Sequence, residues 1–216
     1  MAESQDLIQQ LRPGRVVNLA TRARWWPPKQ WLLAIVYAEI RRVQRHFYPG
    51  GRCADTHTML TLWPGAGFEM TYPEARYWTG AGLDIREVSI YEAVPTFLGY
   101  MPDEEFKQDL RAAADYVIRN LPKYDLGDLL DHLLGYKTPL GMVKIFGSSK
   151  RFVCSSTVGI CWEHARKKLE RRLGRDLPRL FFKPDGELKP VEQYIPADFA
   201  NSRKFKCVWP PSQMEK

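Results

Sequence analysis

A cysteine attacks a carbonyl only as its thiolate, so the first question is which thiol the chain could activate. Four cysteines are present: Cys53, Cys154, Cys161 and Cys207. A helix N-terminus lowers a thiol pKa, because its unpaired N–H groups and dipole favour the anion. Cys154 has that setting. It follows the strand-like Arg151-Phe152-Val153 and precedes Ser155-Ser156-Thr157, residue types common in a first helical turn. The same N–H groups could stabilise an oxyanion. The competing reading of Cys154 is a buried structural cysteine, and Cys161, beside Gly159 and Ile160, reads as core.

A thiolate needs an imidazole partner. Of the four histidines, His46 ends a basic helix, His132 lies on an amphipathic stretch, and His164 sits among Glu163, Arg166, Lys167 and Lys168. His57 differs: it enters a strand in Asp55-Thr56-His57-Thr58-Met59-Leu60, where a side chain can reach a neighbouring helix terminus. A satisfied sheet residue is the alternative. A third group would orient the ring. Glu69 lies twelve residues after His57 on the partner strand of a hairpin. Either it shares the His57 face, which depends on strand register, or Phe68 and Met70 point inward and Glu69 faces solvent. Asp55 and Tyr124 are the next candidates for the orienting role. No Cys-x-x-Cys pair is present, so neither a structural zinc nor a cofactor is expected.

These residues need elements to hold them. A short amphipathic start over 6–11 leads through Arg12-Pro13-Gly14 into a strand over 15–19. Apolar residues at helical spacing predict a helix over 29–46, ended by Pro49-Gly50-Gly51. Strands are expected over 56–63, 68–72 and 87–94, the first two joined by the turn Pro64-Gly65-Ala66-Gly67. Phe106, Leu110, Ala113, Val117 and Leu121 predict a helix over 103–120, capped by Asp103 and stopped by Pro122. A short helix over 126–134 and a long one over 154–173, closed by Gly174, complete the regular elements. The stretch from Leu177 onward holds six of the sixteen prolines, which predicts an extended wrap over 177–216. Strands and helices in this order give an α+β class.

The 216 residues suit one domain, and 44% hydrophobic with 26% charged residues is ordinary for a soluble protein. The longest apolar run, 31–38, is too short to cross a membrane. With no secretory signal pattern at the N-terminus, a cytoplasmic protein with free thiols is expected. The net charge of +7 admits weak polyanion binding, supported by Arg41-Arg42-Val43-Gln44-Arg45-His46 and by the run from Arg166 to Arg172. That leaves a basic nucleic-acid-binding module as an alternative function, although no recognised nucleic-acid motif is present. Trp25, Trp26, Trp31, Trp63 and Trp78 are candidates to line a cleft, or to pack in the core.

Taken together, the residues resemble the circularly permuted NlpC-type papain-like proteins, a group that includes the YiiX-like amidases and lecithin retinol acyltransferase. In that group the histidine strand precedes the cysteine helix. Arg12-Pro13-Gly14-Arg15-Val16-Val17 resembles the family's opening, with Arg15 where Asp is usual. Thr56-His57-Thr58-Met59-Leu60 resembles its histidine strand, Lys123-Tyr124-Asp125 the stretch before its Tyr-Asp pair, and Phe152-Val153-Cys154-Ser155-Ser156 its cysteine motif, with Ser156 in place of an acid. Tyr194-Ile195-Pro196-Ala197-Asp198 resembles a closing segment. The resemblance implies one permuted papain-like domain over 1–216, with a strand and helix in 1–48 and an antiparallel sheet against the cysteine-bearing helix. It also implies a thiol amidase, peptidase or acyltransferase with Cys154 as nucleophile and His57 as base, and more weakly Glu69 as third member. The implied substrates are peptide or isopeptide amides and lipid esters. A catalytically inert binding scaffold is the remaining alternative.

Overall fold

The computed structural model describes residues 2–20, 30–71, 74–80, 83–120, 154–183 and 185–210. Six strands form one sheet: β1 (Val16–Leu19), β2 (His57–Trp63), β3 (Ala66–Met70), β4 (Ala75–Thr79), β5 (Val88–Ala93) and β6 (Phe205–Trp209), in the order β4-β3-β2-β1-β5-β6. Every neighbouring pair is antiparallel. The helices are α1 (Ala2–Gln10), α2 (Gln30–Phe47), α3 (Pro95–Leu98), α4 (Glu104–Asn120), α5 (Cys154–Leu173) and α6 (Pro196–Asn201). The class is α+β.

Side chains alternate across a strand, so register decides which residues share a face. Val16 pairs with Leu60 and Tyr91, and Leu60 pairs with Phe68. These four lie on one face, in a core with Phe106, Leu110 and Val117 of α4 and Val158, Trp162 and Leu169 of α5. Val17, Met59 and Ile90 lie on the other face, with Leu7 of α1, Leu11, Trp78 and Trp209. The sheet is therefore covered on both sides near its middle.

α4 starts as its sequence dictates: the Asp103 carboxylate accepts the Phe106 N–H at 2.7 Å, and Glu104 and Glu105 follow in the first turn. α5 carries its charge inward at one point. Arg166 is fully buried, holding Glu163 at 2.7 Å, Glu170 and the Leu177 carbonyl. Lys168 and Arg172 both reach Asp109 of α4. Three of the basic residues between Arg166 and Arg172 thus serve internal pairs.

The segment after Leu177 is more ordered than its prolines imply. Phe182 bridges Leu188, a 3-10 turn spans Val191–Gln193, α6 follows, and β6 completes the sheet beside β5. The extended-wrap expectation is corrected there. Proline at the first helical position is compatible with a helix, which is how Pro196 opens α6. β4 and α3 were also not foreseen, being only five and four residues long. The expected helix over 126–134, along with His132, Trp25, Trp26 and Tyr124, lies outside the described residues.

Gly159 lets α5 sit against the turn that ends at Tyr194. A Cβ at this position would come within 2.3 Å of the Tyr194 ring. Gly159→Ala should therefore destabilise the protein even though alanine is the better helix former by about 1 kcal/mol. Forced overpacking costs about 1–3 kcal/mol or more. The check is urea unfolding: the midpoint falls with unchanged slope, whereas an unchanged or raised midpoint shows that the ring moves aside freely.

Candidate active site

β2 begins at His57, and α5 begins at Cys154. The two residues are 97 positions apart in sequence and neighbours in space, close enough that each shifts the titration of the other. The ring nitrogen Nε2 of His57 lies 2.9 Å from Glu69 Oε2. The ring is thus held between sulfur and carboxylate.

The hairpin register explains this. Met59 pairs with Glu69, so His57, two residues before Met59, shares the Glu69 face. The reading of Glu69 as a solvent-facing residue is corrected, although its premise about the neighbours holds. Phe68 and Met70 do point inward on one face, and Glu69 is also buried, at 7% exposure, because the opposite face is covered too. Glu69 pairs in turn with Arg76 across β3 and β4, and Arg76 Nε donates to Glu69 Oε1 at 2.7 Å. Each carboxylate oxygen has its own cationic or imidazole partner.

Electrostatics favour a thiolate–imidazolium pair. Burial works to raise the Cys154 pKa. The positive His57 ring, its hydrogen bond, and backbone N–H groups of Thr58 and Ser155 on the sulfur outweigh burial, so the thiol lies below its ordinary value. Burial likewise opposes charge on His57, yet the Cys154 charge and hydrogen bond, with Glu69 behind, push the imidazole up to about 10. Glu69 is held below the ordinary carboxylate range: burial opposes this, and His57 and Arg76 overcome it. Cys161 behaves oppositely. It is fully buried, and desolvation drives its thiol up, away from reactivity.

The head of α5 is fastened by its own small residues. Ser155 Oγ donates to the Tyr194 carbonyl at 2.6 Å and Ser156 Oγ to the Glu192 carbonyl at 3.1 Å. Thr157 Oγ1 donates back to the Cys154 carbonyl at 2.8 Å. Ser156 therefore has an anchoring task where the resembled family has an acid. Arg15, the other departure, binds Glu92 at 3.1 Å and Gln10, tying the end of α1 to β5.

Asp55 does not orient the ring. Its carboxylate accepts Asn18 Nδ2 at 3.1 Å, and Gln44 spans from the Asp55 carbonyl to the Ala197 N–H, bracing the entry to β2 against α2 and α6. Sequence reasoning missed Arg76 and Tyr37. The phenol of Tyr37, on α2, is raised first by burial and then by the charge of Cys154. Alternation within 75–79 could have pointed to Arg76, but nothing distinguished Tyr37 from other residues of an amphipathic helix.

Among the described residues no group of three or more histidine, cysteine, aspartate or glutamate side chains is arranged to hold a metal ion, and no helix is long and apolar enough to cross a membrane. Comparison with protein-family models, with curated proteins and with solved structures finds no match.

The shifts set a pH window. The thiolate is populated from below the ordinary thiol pKa of 9.0, and the imidazolium persists until pH rises through about 10. Any stability from the raised His57 pKa is present in full below 6.5 and is lost as pH rises through about 10. The stability linked to the depressed Cys154 thiol is lost as pH falls through its folded-state value. Iodoacetamide should alkylate Cys154 faster than Cys53, Cys161 or Cys207 at pH 7, and His57→Ala should slow this by at least about tenfold at that pH, the gap closing as pH approaches the free-thiol range. Peptide mapping by mass spectrometry decides it; faster labelling of another cysteine removes Cys154 as the activated thiol.

Proposed function

We propose that the protein is a cysteine-dependent amidase, peptidase or acyltransferase of the permuted papain-like kind. One observation supports this above others: the His57 ring neighbours the Cys154 thiol, each shifting the other's titration, and its Nε2 lies 2.9 Å from Glu69. Nucleophile, base and orienting group are thereby in series. The order of histidine strand before cysteine helix, and a sheet packed on that helix, agree with the permuted arrangement.

The chemistry follows from the protonation states. The Cys154 thiolate attacks the carbonyl carbon of an amide or ester, and the carbonyl electrons move to oxygen. N–H groups at the head of α5 would stabilise that charge. The imidazolium of His57 gives its proton to the departing nitrogen or oxygen, and a thioester to Cys154 remains. Water or another acceptor then loses a proton to His57 and attacks the thioester, and the thiolate returns. Through both steps Glu69 accepts the Nε2 proton bond and fixes the tautomer, and Arg76 keeps Glu69 ionised and in one rotamer. The substrate classes are those of the resemblance: a peptide or isopeptide amide, or a lipid ester.

The basic-module alternative has lost part of its support. Arg166, Lys168 and Arg172 are engaged with Glu163, Glu170 and Asp109, so the α5 run is not a single open basic face.

Glu69→Gln keeps an oxygen for the His57 Nε2 proton but removes the charge that Arg76 and the imidazolium share. The variant should fold normally and lose roughly ten- to thousandfold in turnover, less than the complete loss in Cys154→Ala. Single-turnover acylation by an activated ester reads both variants. Wild-type acylation in Glu69→Gln shows that another group orients His57, and acylation of Cys154→Ala at the wild-type rate ends the catalytic reading.

A further inference from the structure

Residues 50–54 connect α2 to β2, and two clefts meet on them, sharing Gly50 and Gly51. The first is walled by Arg41 and Arg45 of α2 and runs to Ala20 and Ala54. The second runs along residues 200–208, past Arg52, Arg203 and Lys206. Five cations line the pair, and among the described residues no Asp or Glu does. Two carboxylates that interact with these cations are Glu92, 3.3 Å from Lys206 and also paired with Arg15, and the buried Asp55, whose charge acts on Arg41 and Arg52.

The floor is fixed before any ligand arrives. Asn201 Oδ1 accepts the Arg52 N–H at 2.8 Å, and its Nδ2 donates to the Arg52 and Ala197 carbonyls at 2.9 and 2.8 Å. Gly51 makes this clamp fit, since a Cβ there would lie 2.5 Å from Asn201 Oδ1. Arg41 Nε donates to the Ala54 carbonyl at 3.1 Å, pinning the other end of the loop to α2. The inner end of the first cleft adjoins the catalytic strand: Ala20 follows Leu19, the residue paired with His57, and Ala54 lies three residues before His57. The outer end follows β6, the last strand of the sheet, with which no further strand pairs among the described residues.

We propose that the two clefts form one groove that seats an extended acidic peptide segment of the substrate and leads it toward the sheet end carrying His57; this rests on the reading of Cys154 as nucleophile. An extended chain can pair its backbone with an edge strand while its carboxylates meet the arginines and Lys206. A nucleic acid is the poorer occupant. Strand-tracking nucleic-acid grooves combine cations with aromatic stacking platforms, and among the described residues the one aromatic lining either cleft, Phe205, is only 5% exposed.

The test uses the full chain and a fluorescein-labelled hexaglutamate peptide, followed by anisotropy at low and moderate salt. Binding should weaken as salt screens it, and Arg45→Glu with Arg203→Glu, two exposed positions outside the catalytic group, should weaken it by roughly tenfold or more. Saturating peptide should slow iodoacetamide labelling of Cys154 several-fold in the wild type. Without peptide the double variant should label at the wild-type rate, which shows that its fold and site are intact. If that variant labels abnormally, Arg203→Ala alone, read by the same anisotropy, replaces it. Three results overturn the proposal: wild-type affinity in the charge-altered variant, peptide binding that leaves Cys154 labelling unchanged, or tighter binding of an oligothymidylate of equal charge. The catalytic reading fails separately, by slow labelling of Cys154 in the peptide-free wild type while salt-sensitive peptide binding through Arg45 and Arg203 persists; the groove then stands as a peptide site alone.

Discussion

The register of the β2–β3 hairpin is the constraint on which the site depends. Met59 opposite Glu69 places His57 and Glu69 on one face, two residues apart along the ladder, which is within reach of two long side chains. A slip of one residue would turn Glu69 to the face of Phe68 and Met70 and leave the imidazole with sulfur alone. What fixes the register is apolar: Leu60 and Phe68 are fully buried against α4 and α5, and Met59 is buried on the opposite face. Packing on both sides therefore penalises the slip twice. The same double cover dries the carboxylate, which makes its bonds to His57 and Arg76 stronger than they would be at an open sheet surface.

A second requirement is that the head of α5 stay where the ring can reach it. A helix start is ordinarily a place of fraying, with its first N–H groups unpaired. Here Ser155, Ser156 and Gly159 tie that start to the Glu192–Tyr194 stretch, and Lys189 and Tyr48 hold Asp198 just beyond it at 2.7 and 2.6 Å. The Lys189–Asp198 pair is almost wholly buried, and burial pulls the lysine pKa down. Such a pair adds little net stability against a hydrophobic replacement, but it does fix geometry. Its place, between the segment that anchors the cysteine helix and the helix that braces β2, is where fixed geometry matters.

How much of this was legible in the sequence differs by residue. The helix over Glu104–Asn120 announced itself by spacing and by Asp103, since both its packing face and its cap are local signals. His57 and Cys154 were readable as a pair because their settings, a strand entry and a helix head, are also local. Glu69 was readable only as a conditional, because register is decided by contacts from elsewhere in the chain. Arg76 left only the faint signal of alternation along five residues, which does not say what it faces, and Tyr37 left none, because no local pattern fixes the orientation of its helix. The stretch after Leu177 misled because proline density signals broken structure, whereas β6 and α6 owe their existence to neighbours, β5 and α2, that sequence spacing does not reveal.

Arg76 bears on how the site divides charge. A glutamate bonded to imidazole alone would compete with the thiolate for the same positive ring, and whichever anion lay nearer would dominate. With Arg76 on its second oxygen, Glu69 remains ionised without needing the imidazolium proton, so the ring's charge is left to Cys154. Arg76 itself is 64% exposed, so solvent screens its field at the sulfur more than at the carboxylate that it touches. Distance and screening together let one cation stabilise the orienting carboxylate while weakly disturbing the thiolate–imidazolium pair beyond it. A buried arginine in the same place would instead have added a second strong positive field beside His57, lowering the imidazole pKa toward neutrality and weakening the proton donor that the departing group requires.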